Sequence, residues 1–245
     1  MFKIKLKDKT LEFDKKVNLA SLVDDPNKEF IVAKVNNRIR DLNYEVYYDA
    51  TVEFLSVKDQ AAIRTYERSL RYLFAMAAQK LYPNLKFRFS YNVSRSIFVQ
   101  ILSDNMRVDS TMVKNLGEEM RKLIDADLPF ERIIVSNEEA TKIYHERGFD
   151  DKIATLKYRP EKTVHFYKCD DYMNYMYGYM VPSTGYLKRF ALRLYSPGII
   201  IQYPRSECNG NIPPFEDAPT FGKTLKESHK WAKATVWYRL CCRIK

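Results

Sequence analysis

The chain reads as an α+β protein, a small β-rich domain followed by a larger mixed one. Three observations predict this. Residues 1–57 alternate apolar and polar positions around one short helical stretch. A long amphipathic run opens directly after them, and from there strand and helix patterns interleave with no internal repeat. With 245 residues, 46% of them hydrophobic and 29% charged, the chain has length for two domains and enough apolar side chains to bury a core.

The elements follow in order. "FKIKLKD" and "TLEFDK" alternate as strands about the polar turn "KDKT". Asn18 can cap a short helix, "LASLVDD", that Pro26 closes. "FIVAKVNNRIRDL" folds back at Asn36-Asn37, and "TVEFLSV" is the last strand of this part. A helix then spans "DQAAIRTYERSLRYLFAMAAQKLYP", with Ile63, Leu70, Leu73, Phe74 and Ala77 near one face and Pro83 as its stop. Arg64, Arg68 and Arg71 make a basic stripe on another face, which is either a solvated surface or a contact for an anion. "LKFRFSYNVSRSIFVQIL" reads as two strands. "DSTMVKNLGEEMRKLIDADLP" is a helix capped by Asp109 or Ser110, and "FERIIVS" is a strand. "NEEATKIYHERG" is a helix capped by Asn137 and ended at Gly148. From Thr163 to Tyr203 the pattern is mostly β, broken by the loop "GYMVPSTGYL" at residues 178–187.

Charge and composition narrow the function. The formal net charge is +10, yet residues 1–57 carry ten basic and ten acidic residues, so the excess lies in residues 58–245. A basic surface suits a polyanionic partner such as RNA and serves solubility equally well. No run of eighteen apolar residues is present, and the alternating N-terminus lacks the apolar core of a signal peptide. Cys169, Cys208, Cys241 and Cys242 form no CxxC pair, and His145, His165 and His229 are far apart. Neither a disulfide framework nor a zinc motif is legible, and a reduced, cytoplasmic, membrane-free protein is expected.

The order of motifs resembles the N-terminal half of threonyl-tRNA synthetases, a TGS domain (a ubiquitin-like β-grasp unit) followed by an aminoacyl-tRNA editing domain. The matching segments are "FIVAKVNNRIRDL", "LRYLFAMAAQKLYP", "MRKLIDADLPFERIIVSNEEATKIY" and "VPSTGYLKRFAL". "YERSLRYLF" and "YMYGYMVPSTGYL" are closer still to bacterial uridine kinase-related proteins, which carry the same two domains ahead of a P-loop nucleoside-kinase domain. The resemblance implies a TGS-like β-grasp domain over residues 1–57, an editing-like domain over 58–221 and a linker toward a kinase domain over 222–245. The kinase domain is then a partner in the intact protein, and ATP and magnesium would belong to it.

Editing enzymes of this class join an HxxxH pair on the helix to a CxGPH-type segment before the loop, for metal binding or water activation. In this sequence the helix positions are Arg68 and Tyr72, and Met176 and Met180 flank the retained Gly178. Arginine stays protonated and methionine is a poor zinc ligand, so neither catalysis nor a metal is expected here. The spare His165, on a strand before the loop, and the Asp170, Asp171 and Asn174 group each suit an ordinary structural role as well as a polar site. What the resemblance leaves is a ligand pocket: Arg68 and Tyr72 one helical turn apart, opposite Tyr177, Gly178 and Tyr179, suited to a nucleotide or the 3′ end of RNA. The alternative is that Arg68 pairs with a carboxylate and the tyrosines pack.

A kinase site is sought in vain. "DAPTFGKT" ends like a P-loop, but Asp217 replaces the first glycine and no strand pattern precedes it. After "KWAKAT" the resemblance stops at "VWYRLCCRIK". Codon degeneracy permits, without forcing, the choice TGG TAT CGC CTT TGT TGC CGA for Trp237 to Arg243, which read one nucleotide later and followed by T gives Gly-Ile-Ala-Phe-Val-Ala-Asp, a run resembling the kinase linker. An out-of-frame end that truncates the protein is therefore expected, a natural basic tail being the rival. The expected function is a noncatalytic, RNA- or nucleotide-binding regulatory region of a uridine kinase-like protein. The alternatives are a family-level nucleoside kinase whose catalytic domain lies elsewhere and a surviving editing hydrolase.

Overall fold

In chain order the strands and helices are β1 (Phe2–Lys5), β2 (Thr10–Phe13), β3 (Val17–Asn18), β4 (Phe30–Val35), β5 (Arg38–Arg40), β6 (Glu45–Val46), β7 (Ala50–Ser56), α1 (Gln60–Leu81), β8 (Phe87–Val93) and β9 (Ser96–Ile101). They continue with α2 (Ser110–Asp125), β10 (Glu131–Ser136), α3 (Asn137–Glu146), α4 (Asp150–Leu156), β11 (Thr163–Cys169), β12 (Tyr172–Tyr175), β13 (Ala191–Tyr195), β14 (Gly198–Gln202) and α5 (Pro219–Ala234). The computed structural model describes residues 1–103, 108–146, 150–158 and 160–234. The expected helix stop at Gly148, the proposed frame change, Cys241 and Cys242 lie outside them.

Two compact units result, one of Met1–Phe130 with Gly178–Glu216, the other of Glu131–Tyr177 with the chain from Asp217 onward. The first opens with a five-stranded sheet in the order β2-β1-β7-β4-β5, β1 and β7 parallel and the other neighbours antiparallel. Alternation sets its faces: in β1, Phe2 and Ile4 are buried while Lys3 and Lys5 are exposed. Asn18 accepts the Ala20 N–H (2.9 Å) and caps the single 3-10 turn Leu19–Leu22, whose two leucines enter the core with Ala33, Val35, Leu42 and Val46. The same unit contains an antiparallel sheet, β13-β14-β9-β8. Its central strands β9 and β14 are buried throughout, which explains the continuous apolar runs "SIFVQI" and "GIIIQ" where a half-buried strand would alternate. The α2 cap is Asp109, accepting the Met112 N–H at 2.7 Å.

The second unit is an antiparallel sheet β10-β11-β12 on which α3 and α4 pack, Ala140, Tyr144 and Leu156 meeting Val164 and Phe166. Here the expected cap of α3 is corrected. Ser136 Oγ accepts the Glu139 N–H (3.1 Å) while Glu139 accepts the Ser136 N–H (3.2 Å), a reciprocal capping box. Asn137 is the first helical residue, and its amide donates instead to the Glu161 carbonyl. Asp170 and Asp171 form the β11–β12 turn, Asp170 at φ 54°, and Asn174 accepts Lys152 Nζ at 2.7 Å. The P-loop-like segment is helical from Pro219, and its Gly222 N–H is spent on the Ala218 carbonyl.

Candidate functional site

The loop after Tyr177 is built against α1. Gly178 has φ +88°, open to glycine at little cost, and a Cβ there would lie 2.9 Å from the Arg68 guanidinium carbon. That approach lets Arg68 donate to the Tyr179 carbonyl at 2.5 Å. Two residues on, the Val181 N–H donates to Ser69 Oγ (3.0 Å), and Ser69 donates to the Thr65 carbonyl (2.9 Å). Tyr66 exchanges hydrogen bonds with the backbone of Arg189, at 2.9 and 3.0 Å. Tyr66, Arg68 and Ser69, within about one turn of α1, thus hold the loop and the chain just after it through backbone atoms, which fixes its path without fixing its side chains.

Of the residues singled out by sequence, Arg68, Gly178 and Tyr179 come together. Tyr72 is 1% exposed and stacks edge-on against Phe130 at 5.5 Å, so its ring belongs to the core. Tyr177 is 79% exposed. Met180 is buried at 1% exposure. Arg68 donates to a backbone carbonyl, and in the same stripe Arg71 pairs with Glu67 above the Phe89 ring. The stripe is therefore partly engaged, with Arg64 exposed.

Arg40, on β5, is the residue that sequence reasoning missed. Its guanidinium donates to the Tyr179 hydroxyl (3.0 Å) and lies over the Tyr44 ring (4.7 Å), while its Nε is buried with no hydrogen-bond partner among the described residues. The bond from Arg40 to the Tyr179 phenol raises its already high pKa, so it is a permanent cation. No local motif foretells a contact 139 residues along the chain.

The far end of the loop is closed by a carboxylate. Asp127 binds Lys28 Nζ and Ser183 Oγ through short contacts and accepts the Gly185 N–H at 3.2 Å. Burial works against its charge, and the bonds from Lys28 and Ser183 outweigh it, so the carboxyl sits below the usual aspartate range. Thr184, fully buried, donates to the Leu123 carbonyl (2.6 Å) and accepts the Leu128 N–H (2.9 Å).

Hydrolytic chemistry would need a base or a metal ligand of near-neutral pKa. The editing positions supply a guanidinium, a core phenol and two thioethers, a set that does not fit a zinc ion. Among the described residues no three His, Cys, Asp or Glu side chains gather to hold a metal. Cys169 is buried, and burial, aided by Asp170 and Glu131, pushes its thiol up to about 12, far from a reactive thiolate. Among the described residues no helix is long and apolar enough to cross a membrane.

The architecture is that of a β-grasp, TGS-like domain followed by an α+β domain like the editing domain of threonyl-tRNA synthetase. No family model matches the chain. It is similar to the threonine–tRNA ligase of Acetivibrio thermocellus, 27% identical over 208 residues that cover 78% of this chain and 31% of that protein. The enzyme of Syntrophomonas wolfei is 29% identical over 194 residues, 77% of this chain and 30% of its own length. Threonine–tRNA ligase 1 of Bacillus subtilis is 29% identical over 174 residues, 71% of this chain and 27% of its own. The chain spans under a third of the length of these relatives.

Proposed function

We propose that this chain is a noncatalytic RNA-binding region, with a nucleotide as the smaller ligand of the same chemistry. The observation that carries the reading is Arg68. At a position where editing chemistry would need an imidazole, a guanidinium reaches under Gly178 to the Tyr179 carbonyl. That exchange replaces a proton acceptor by a fixed cation and leaves an aromatic loop beside it. Similarity to tRNA ligases and the net charge of +10 support RNA as the polyanion.

The finer reading is a regulatory region preceding an ATP-dependent uridine or nucleoside kinase domain, on the strength of "YERSLRYLF" and "YMYGYMVPSTGYL". A downstream reading frame lacking GxxxxGK[ST] would remove that part alone.

The test titrates the purified chain with tRNA and with single-stranded RNA at rising salt. Binding is expected to weaken steeply with salt, Arg68→Ala to lower affinity, and mischarged tRNA to remain uncleaved. Absence of RNA binding at low salt, or deacylation that stops on mutating His165, overturns the proposal.

A further inference from the structure

The loop is joined to the β-grasp part through a lysine that sits where its own backbone disfavours it. Lys28 closes a turn by donating its N–H to the Asp25 carbonyl at 3.1 Å, and it does so at φ 57°. That left-handed conformation suits glycine and strains a residue with a Cβ. The Lys28 side chain is nonetheless only 24% exposed. Its ammonium binds the Asp127 carboxylate, donates to Ser183 Oγ (3.3 Å) and lies over the Tyr186 ring (5.2 Å). Asp127 is itself left-handed, at φ 49°, and accepts the Gly185 N–H. Tyr186 packs against the β-grasp core of Leu19, Val35 and Val46. Gly185 leaves room for all of this. A Cβ there would overlap the Asp127 carboxylate and lie 2.8 Å from Lys28 Nζ.

We propose that Lys28 is a positioning residue for RNA binding, latching the loop to the β-grasp part in the path that brings Tyr179 to Arg40. It rests on the RNA-binding reading above and deepens it, by making affinity depend on a residue outside the ligand contacts. The turn does not account for Lys28, because glycine would make the same turn without strain. The ion pair does not account for it either, because a pair with a half-exposed carboxylate stabilises a fold little. What its contacts share is one target, residues 183–186, reached through a hydroxyl, a ring and, by way of Asp127, a backbone N–H. The start of the loop is held separately, where α1 meets Tyr179 and Val181. Without the latch the loop is fixed chiefly at that end, and a ligand has to order the remainder as it binds. Linkage makes the effect mutual, so a ligand on the loop tightens the latch.

The experiment follows, in the full chain, amide hydrogen exchange along the loop and affinity for single-stranded RNA at rising salt. Lys28→Gly keeps the left-handed turn and removes the latch, so the unfolding midpoint should stay near the parent's. Exchange at Gly185 and Val181 is expected to quicken, and RNA affinity to fall, by about fivefold or more, the low end of coupling between sites. The slope of log affinity against log salt is expected to stay the same, because Lys28 neutralises no phosphate. Gly185→Ala, which wedges the latch from the loop side, is expected to act like Lys28→Gly, and Lys28→Arg to keep the parent's values. Unaltered exchange at Val181 or unaltered affinity in Lys28→Gly overturns the positioning role while RNA binding by the parent stands. A flattened salt slope overturns it too, by making Lys28 a direct phosphate contact. A parent chain that binds no RNA overturns the RNA reading, and the positioning role falls with it.

Discussion

Both ends of the loop from Gly178 to Leu187 are held by a cation from residues 1–57, and the two ends are held differently. At Ser183–Gly185, Lys28 meets the Asp127 carboxylate, which also gathers a hydroxyl and a backbone N–H. At Gly178–Tyr179, Arg40 and Arg68 meet a phenol and a carbonyl. The first arrangement cancels its charges and closes; the second fixes two cations on neutral oxygens. The difference marks the aspartate end as an ion-pair closure and the arginine end as the proposed ligand contact.

The comparison breaks most visibly where the loop rests on the core. Tyr72→Ala removes a buried ring from between α1 and Phe130 and is expected to cost roughly 3–5 kcal/mol in chemical denaturation. A loss below about 1 kcal/mol would mean that Tyr72 is available to a ligand after all. Between the two ends, Ser69→Ala strands the buried Val181 N–H and should cost about 1–3 kcal/mol, read by the same unfolding curves.

Most of the fold is legible in the sequence because its elements are long or strictly patterned. The strand "FKIK", the cap Asn18 and the 22-residue α1 fall where alternation and capping chemistry place them. Two short or polar helices, α4 and α5, escape notice: α4 has seven residues, too few for a period to emerge, and α5 is masked by its P-loop-like spelling. The strand "FRFSYNV" misleads in another way. Its alternation puts Phe87, Phe89 and Tyr91 on one face, but a bulge between Phe89 and Tyr91 brings Tyr91 opposite Phe98. At the site, spacing puts Arg68 and Tyr72 on one helical face, yet a face four residues deep spans both rim and core, and only packing decides which is which. Arg40 is invisible because its partner is brought to it by the fold.

A smaller effect sharpens the aspartate end. Asp127→Asn keeps the shape and removes the charge, and with a half-exposed side chain the cost should be about 1 kcal/mol or less at neutral pH. The pH dependence carries the sign. The folded-state carboxyl lies below its ordinary value, so its stabilisation is complete above about pH 4 and is lost as the pH falls through the lower, folded-state value. Thermal melts should show the parent losing stability into that acid range more steeply than Asp127→Asn. Parallel curves would mean that the Lys28 pair contributes nothing and that the two ends are alike.

The smallest expected change in stability, and the most telling in function, belongs to Arg40. Arg40→Gln removes one bond to the Tyr179 hydroxyl and one cation–π contact with Tyr44, so unfolding should shift by less than about 1 kcal/mol. If the guanidinium is a phosphate contact, the slope of log affinity against log salt for single-stranded RNA should flatten by about 0.7, the share of one neutralised phosphate. Glutamine retains a donor for the phenol, so the loop stays in place and the slope reports charge alone. A variant that binds RNA with the parent's affinity and the parent's slope would show that Arg40 only braces Tyr179. The arginine end would then be a second closure, built from dipoles where the first is built from an ion pair.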